Sequence, residues 1–138
     1  MSVVSGQKTE SKAGGFEDLM VFRQAYRLAL EVHRASLGLP AVEQYGLADQ
    51  VRRASKSICA NLAEGVGKQA GSPAECRRFL AIALGSADEM RVWLRFCLDL
   101  GYLDQATWRR WRDGDQEVAP MLQGWRRSIG RSLKSSDH

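Results

Sequence analysis

Long hydrophobic runs are missing from this sequence. The best apolar stretch, Phe79 to Leu84, ends after six residues at Gly85, whereas a membrane-spanning helix needs about 18. The first 15 residues also lack the apolar segment of a secretory signal. We therefore expect no bilayer contact, no export, and a flexible leader over residues 1–15.

Cysteine is scarce as well, and its spacing excludes the common cysteine sites. Cys59, Cys76 and Cys97 are odd in number and form no CxxC pair, so neither a disulfide framework nor a zinc site is indicated. We expect three reduced thiols and a cytoplasmic location. The 138 residues, 44% hydrophobic and 26% charged, suit one globular domain, which we place at residues 16–134, followed by a flexible tail at 135–138.

Alternating strand patterns are absent, and helical spacing is present throughout the predicted domain. Apolar residues recur at intervals of three and four, the spacing of one helix face. This pattern predicts four helices over about residues 17–36, 46–65, 73–100 and 104–134. Short loops favour antiparallel neighbours, so the predicted fold is all-α, an up-down-up-down antiparallel four-helix bundle. The core face of helix 1 is predicted to contain Leu19, Phe22, Tyr26, Ala29 and Val32.

Several residues mark where these helices begin and end. Ser72 followed by Pro73 and Glu75 predicts an N-cap with a complete capping box. Gly101 suits a left-handed helix end, and Asp104 suits the next N-cap. Pro120 lies inside helix 4, where it removes a backbone donor, so we expect a kink or two helices meeting near residue 119.

Helix 3 carries more apolar surface than a lone bundle needs. Phe79, Met90, Trp93 and Phe96 belong to a wide apolar arc, and large exposed apolar patches are uncommon on monomers. One interpretation is that copies of the chain associate and cover this arc. The alternative is that the same residues line a thick core.

Catalytic motifs are absent. The sequence contains no HExxH, P-loop or GxSxG pattern, and His33 has no second ligand at a useful spacing, so it is interpreted as an ordinary helix histidine. The glycines at 65 and 67 follow a helix and are interpreted as its terminators rather than as a phosphate loop. We predict no catalytic residue, no metal and no cofactor.

Positive charge is modest in total but concentrated in arginine pairs. Twenty Lys+Arg stand against 16 Asp+Glu, and the sequence pI is about 9.2. Such rows can follow a phosphate backbone, although a solvated surface is the commoner reading. The candidate nucleic-acid-binding residues are Arg52, Arg53 and Lys56 on helix 2, and Arg126, Arg127, Arg131 and Lys134 on helix 4.

A second group of small and polar residues lies where packing is expected to be tight. A glycine inside a helix costs about 1 kcal/mol relative to alanine, so Gly85 is expected to allow a close helix approach. Asn61, Ser86 and Glu89 are expected to fix helix register through hydrogen bonds; the alternative is a polar pocket contributed by helices 2 and 3. The candidates for an interhelix or subunit interface are Asn61, Glu64, Gly85, Ser86, Glu89 and Trp93.

Several short motifs occur in a recognisable order across about residues 16–131. They include FEDL at 16–19, YGLADQVRRA at 45–54, NLAEG at 61–65 and GSADE at 85–89. Together they resemble the four-helix bundle family encoded in 23S ribosomal RNA intervening sequences. The resemblance implies a homopentameric ring without known enzymatic activity. The chain is also similar to the accessory variability determinant of diversity-generating retroelements, which associates with a reverse transcriptase and with nucleic acid.

The chain departs from this family at two positions of helix 2. Cys59 and Ala60 stand where the family often has proline and serine, so the helix kink that the family suggests is not expected here. We predict a non-enzymatic homo-oligomer that binds RNA or DNA as an accessory protein. The alternative is a protein-interaction scaffold with no nucleic-acid role, whose partner could be a reverse transcriptase or another protein.

Overall fold

A computed structural model describes residues 15–136 of the chain. Four long helices occupy most of this range, and none of these residues forms a strand. The helices are α1 (Met20–Ser36), α2 (Leu47–Gln69), α3 (Pro73–Asp99) and α4 (Gln105–Ser136). The prediction of an all-helical fold with four helices is confirmed. Most of the predicted leader, and the last two residues of the predicted tail, lie outside the described residues.

Each helix packs against two neighbours. α2 packs most extensively against α3, α3 against α4, and α1 closes the arrangement by contacting both α2 and α4. The connections are short, which suits antiparallel neighbours, and a single 3₁₀ turn at Ala41–Glu43 lies between α1 and α2. α2 and α4 therefore lie across the bundle from each other.

The helix ends follow local sequence rules with one exception. The Ser72 hydroxyl accepts a hydrogen bond from the Glu75 backbone N–H at 3.2 Å, and Gly101 has a φ of 82°. The Asp104 carboxylate accepts from the Thr107 N–H at 2.7 Å. The predicted capping box is incomplete, however, because the Glu75 carboxylate pairs with Arg78 at 3.1 Å instead of reaching back to Ser72.

Three helix boundaries differ from those predicted. α1 begins at Met20, after a 3₁₀ turn at Phe16–Asp18. α2 continues through both predicted terminator glycines to Gln69. α4 is one helix that runs past Pro120 and two residues beyond the predicted domain boundary at 134.

Gly65, a predicted helix terminator, lies inside α2 and against α3. The residue is buried, and a Cβ atom built on it would lie 3.4 Å from Leu80 Cδ2 and 3.6 Å from Phe79 Cβ. Gly65 therefore marks a close approach of α2 to α3, at which a Cβ would be in ordinary van der Waals contact. We had assigned that role to Gly85, but Gly85 is exposed and a Cβ there would meet nothing within 4 Å. Within this chain Gly85 is not needed for helix packing.

The core consists of two clusters along the bundle. One contains Ile58, Leu62 and Leu80, and the other contains Val32, Met90 and Leu94. Met90 is fully buried, so its own chain covers this part of the apolar arc that was expected to need a second copy. Phe79 and Trp93 are half-buried, and Phe96 is 51% exposed.

Candidate nucleic-acid interface

Arg52 is half-buried and holds the connection between α1 and α2. Its guanidinium donates to Ser36 Oγ at 2.8 Å, to the Gln44 carbonyl at 2.8 Å and to Gln44 Oε1 at 3.3 Å. Gln44 in turn donates to the Ser36 carbonyl at 2.9 Å. Because these donors are used within the chain, Arg52 can attract an anion through its charge but is not poised for a bidentate phosphate contact.

The other two predicted cations of α2 are exposed. Arg53 forms an i,i+4 ion pair with Asp49 at 2.8 Å. Lys56 lies one turn further on at the edge of a cleft between α1 and α2. Within residues 15–136, Lys56 takes part in no ion pair, so its ammonium group is available to a phosphate.

Arg126 differs from the other cations of α4. Its Nε donates to the Arg77 carbonyl at 3.3 Å, while Arg77 Nε donates to the Arg126 carbonyl at 3.2 Å. This reciprocal pair connects the end of α4 to the start of α3. Arg127, Arg131 and Lys134 are exposed, and they span about 10 Å along the helix at 1.5 Å per residue.

The structure does not bring the two predicted basic groups together. Arg52 contacts Ser36 at the end of α1, whereas Arg126 contacts Arg77 at the start of α3. The two groups thus lie near opposite ends of the bundle, on helices that face each other across the core. A single chain offers two separate basic regions rather than one groove.

The predicted polar group between α2 and α3 is partly connected. Ser57 and Ser86 hydroxyls are 2.8 Å apart, and Asn61 Nδ2 donates to the Ser57 carbonyl at 2.8 Å and to its hydroxyl at 3.0 Å. Glu64 and Glu89 are exposed and take no part in this group. Only the Ser57–Ser86 contact crosses from α2 to α3, because the Asn61 bonds stay within α2, so a register-fixing role for Asn61, Ser86 and Glu89 stays a prediction.

Trp93 lies on the outward side of α3, half-buried against its own chain. Its indole Nε1 is buried without a hydrogen-bond partner among the described residues, and its ring centroid is 6.0 Å from that of Phe96. At 100° per residue, Trp93 shares one face of α3 with Gly85 and Glu89. Four exposed apolar residues occupy the same face, namely Ile82, Val92, Phe96 and Leu100.

Sequence reasoning missed the cleft between α1 and α2. Its volume is about 370 Å³, and its walls are mostly apolar. Tyr26 was predicted to be a core residue but is 50% exposed, and its ring stacks on Phe22 at 5.7 Å. The i, i+3, i+4, i+7 spacing on α1 could have indicated this surface. The lining residues are Tyr26, Ala29, Leu30, His33, Lys56 and Cys59.

Two side chains of this cleft, His33 and Cys59, have pKa values shifted toward their neutral forms. The nearby Lys56 ammonium, followed by burial and the charges of Arg52 and Arg34, lowers the pKa of His33. Burial raises the pKa of Cys59 to about 11, so its thiol is a poor nucleophile. His33 is partly exposed, as its interpretation as an ordinary helix histidine suggests, but its Nδ1 is buried without a partner in the described part of the chain.

Asp115 is a second feature that the sequence did not indicate. It is 0% exposed, and neither carboxylate oxygen has a hydrogen-bond partner among residues 15–136. Burial raises its pKa to about 7, with Arg91 opposing and Asp88 adding to the shift. A carboxyl group in this position is largely neutral below that pH.

Metal and membrane sites find no support in the described residues. No group of three or more His, Cys, Asp or Glu side chains in residues 15–136 is arranged to hold a metal ion. None of the described helices has the length and hydropathy needed to cross a bilayer.

The sequence profile of the 23S rRNA-intervening sequence protein family matches residues 17–124. The chain belongs to this family. The match covers α1, α2, α3 and the part of α4 up to residue 124, which confirms the resemblance inferred from the motifs.

A solved structure shows the same fold. It is the crystal structure of a protein with unknown function from the S23 ribosomal protein family of Bacteroides thetaiotaomicron, and it aligns with a TM-score of 0.70 at 23% identity. The alignment covers 78% of this chain and 95% of that protein. No curated protein sequence is detectably similar to the chain.

Proposed function

We propose that this member of the 23S rRNA-intervening sequence protein family is a non-enzymatic accessory protein that binds RNA as a homo-oligomer. A pentameric ring is the assembly that the resemblance implies. The partner is expected to be an RNA or a ribonucleoprotein, and a reverse transcriptase is the protein partner that the resemblance suggests.

The observation that carries the RNA proposal is a set of exposed cations without acidic partners. Arg127, Arg131 and Lys134 on α4, and Lys56 on α2, are exposed and form no ion pair within residues 15–136. Such side chains can exchange mobile counterions for phosphates with little rearrangement. By contrast, many other arginines of the chain are already paired, as Arg95 is with Asp99 at 3.0 Å.

The exposed apolar face of α3 supports the self-association proposal. Val92 and Phe96 are each about half exposed, and a second copy would remove this surface from water. Assembly would also repeat the two separate basic regions of each chain. Several weak phosphate contacts on one particle bind more tightly than one, because each later contact is intramolecular.

Fluorescence anisotropy of a labelled RNA, measured over a range of salt concentrations, tests the RNA proposal. Affinity should fall steeply with salt. In the triple variant Arg127→Gln, Arg131→Gln, Lys134→Gln, the slope of log affinity against log salt concentration should be smaller by about two to three, because fewer counterions are released. The charge-matched control replaces Arg78, Arg95 and Arg112 by Gln. These three are already paired with carboxylates, so this variant should bind almost normally.

A protein-interaction scaffold is the second candidate, and the same α3 face favours it. An apolar stripe flanked by the ion pairs Arg91–Asp88 and Arg95–Asp99 has the mixed character of a protein interface. Failure to bind any RNA at low salt, together with intact self-association, would favour this candidate over the RNA proposal.

A further inference from the structure

We infer that the cleft between α1 and α2 receives an unpaired base of single-stranded RNA, with an adjoining phosphate held by Lys56. The inference rests on the proposed RNA-binding function and adds a ligand class and a site to it. The site does not belong to the α4 cations considered above.

The shape of the cleft suits a flat ring. Its volume of about 370 Å³ lies within the range of about 300 to 1,000 Å³ that ligand sites occupy. The lining is mostly apolar and includes Ala29, Leu30 and the Cys59 thiol. The cleft is open to solvent, so a base can enter while the rest of the strand stays outside.

Tyr26 supplies the surface on which a base can stack. Its ring is half exposed, and the other part of the side chain is fixed by the parallel ring of Phe22, with centroids 5.7 Å apart and planes 17° from parallel. Stacking on such a fixed aromatic ring tolerates different bases, because every base has a π face. A rigid ring also loses little conformational freedom on binding.

His33 supplies a polar group for the edge of the base. His33 lines the cleft; its Nδ1 is buried and has no hydrogen-bond partner among the described residues, so a base has to meet the other ring nitrogen or turn the side chain. The Lys56 ammonium, burial, and the charges of Arg52 and Arg34 all lower its pKa, which favours the neutral imidazole. A neutral imidazole offers one donor and one acceptor, which matches the mixed edges of nucleobases.

The charge around the cleft determines the kind of occupant. The only charged groups that affect His33 noticeably are three cations, and Lys56 is exposed at the edge without an acidic partner in residues 15–136. An apolar helix from a second copy would leave this ammonium desolvated and unpaired, which is costly. A base linked to phosphates can place its ring against the apolar lining and a phosphate beside the Lys56 ammonium.

The test uses the full chain and a short fluorescein-labelled single-stranded RNA without self-complementarity, compared with the matched duplex. Tyr26→Ala should weaken binding of the single strand by about ten-fold or more, the usual effect of losing one stacked base. Tyr26→Phe should bind like the parent protein. Lys56→Gln should weaken binding several-fold and reduce the salt slope by about one.

Lys68→Gln is the matched control, because Lys68 is an exposed lysine on the same helix about 18 Å away at 1.5 Å per residue. If Tyr26→Ala and Lys56→Gln bind the single strand as well as Lys68→Gln does, the cleft inference is wrong and the RNA proposal survives. Equal binding of duplex and single strand also overturns it. If the parent protein binds neither RNA, both proposals fail.

Discussion

Arg77 and Arg126 each donate a hydrogen bond to the other's backbone carbonyl, at 3.2 and 3.3 Å. The two bonds join the first turns of α3 to the last part of α4. The Arg77 guanidinium lies beside Gly130, where a Cβ would be in ordinary van der Waals contact with Cζ at 3.4 Å. Two arginines that the sequence presents as surface charges thus form an interhelix contact.

Removing this contact should destabilise the bundle. Arg77→Ala is expected to lower the free energy of unfolding by about 1 kcal/mol, because the Arg126 carbonyl loses a charged donor. Arg126→Ala should behave similarly, and the double variant should cost less than the sum because the two residues act as one unit. Urea denaturation measures all three. Arg131→Ala, on the same helix and exposed, is the control and should be nearly neutral.

Asp115 should make stability fall as pH rises. Burial raises its pKa from 3.8 to about 7, so the folded protein binds a proton more tightly than the unfolded chain does. Its contribution is fully present below about pH 4 and is lost progressively up to about pH 7. At 1.36 kcal/mol per pKa unit, this carboxyl should lower the free energy of unfolding by about 2–3 kcal/mol as the pH rises from about 5 to about 8.

Asp115→Asn isolates this effect in urea titrations at the two pH values. The lowered pKa of His33 acts in the opposite direction, because the unfolded chain then binds more protons near neutral pH. The variant keeps that histidine and loses only the carboxyl. A parent protein and variant with the same pH dependence would show that Asp115 is ionised and solvated at neutral pH.

Local rules of sequence predicted the parts of the fold that depend on a few neighbouring residues. The Ser72 cap and the Gly101 helix end follow from backbone chemistry within one turn. The core stripe of α1 was predicted less well, because its buried residues include Val21, Ala25 and Leu28 rather than Tyr26. The predicted stripe that includes Tyr26 and the stripe that is actually buried both have helical spacing. Only packing against the neighbouring helices determines which of the two is buried.

Only part of the candidate site could likewise be predicted from the sequence. That Arg52 and Arg126 lie near opposite ends could have been derived from the antiparallel topology, since one is early in α2 and the other late in α4. The hydrogen bonds that occupy both guanidinium groups could not, because their acceptors are contributed by a loop and by another helix. The same holds for Asp115, whose burial depends on the packing of α3 and α4.

Gly85 and Gly65 should respond oppositely to larger side chains. Gly85 is exposed within α3 with open space around its Cα, so Gly85→Ala should raise the free energy of unfolding by about 0.5–1 kcal/mol. Gly65→Leu should lower it by about 1–3 kcal/mol, because the added side chain has to displace Leu80 and Phe79. Thermal or urea unfolding measures both. Destabilisation by Gly85→Ala would indicate that another subunit packs against this position.

The α3 face should carry self-association. Val92 is 50% exposed on α3, and Val42 is 83% exposed in the α1–α2 connection, so the two valines form a matched pair. Val92→Glu should dissociate the oligomer, because a carboxylate buried at an apolar interface without a partner costs several kcal/mol, whereas Val42→Glu should leave it intact. Light scattering coupled to size-exclusion chromatography measures the mass of each.

Phe96→Glu extends the same test to the next turn of α3. Phe96 is exposed beside Trp93, so Phe96→Glu should reduce the particle mass as Val92→Glu does. The circular dichroism spectra of both variants should stay helical, because neither side chain is in the core. If the parent protein already elutes at 15.4 kDa, copies of the chain do not cover this face. The half-exposed phenylalanine and valine would then have to be explained by a different protein partner.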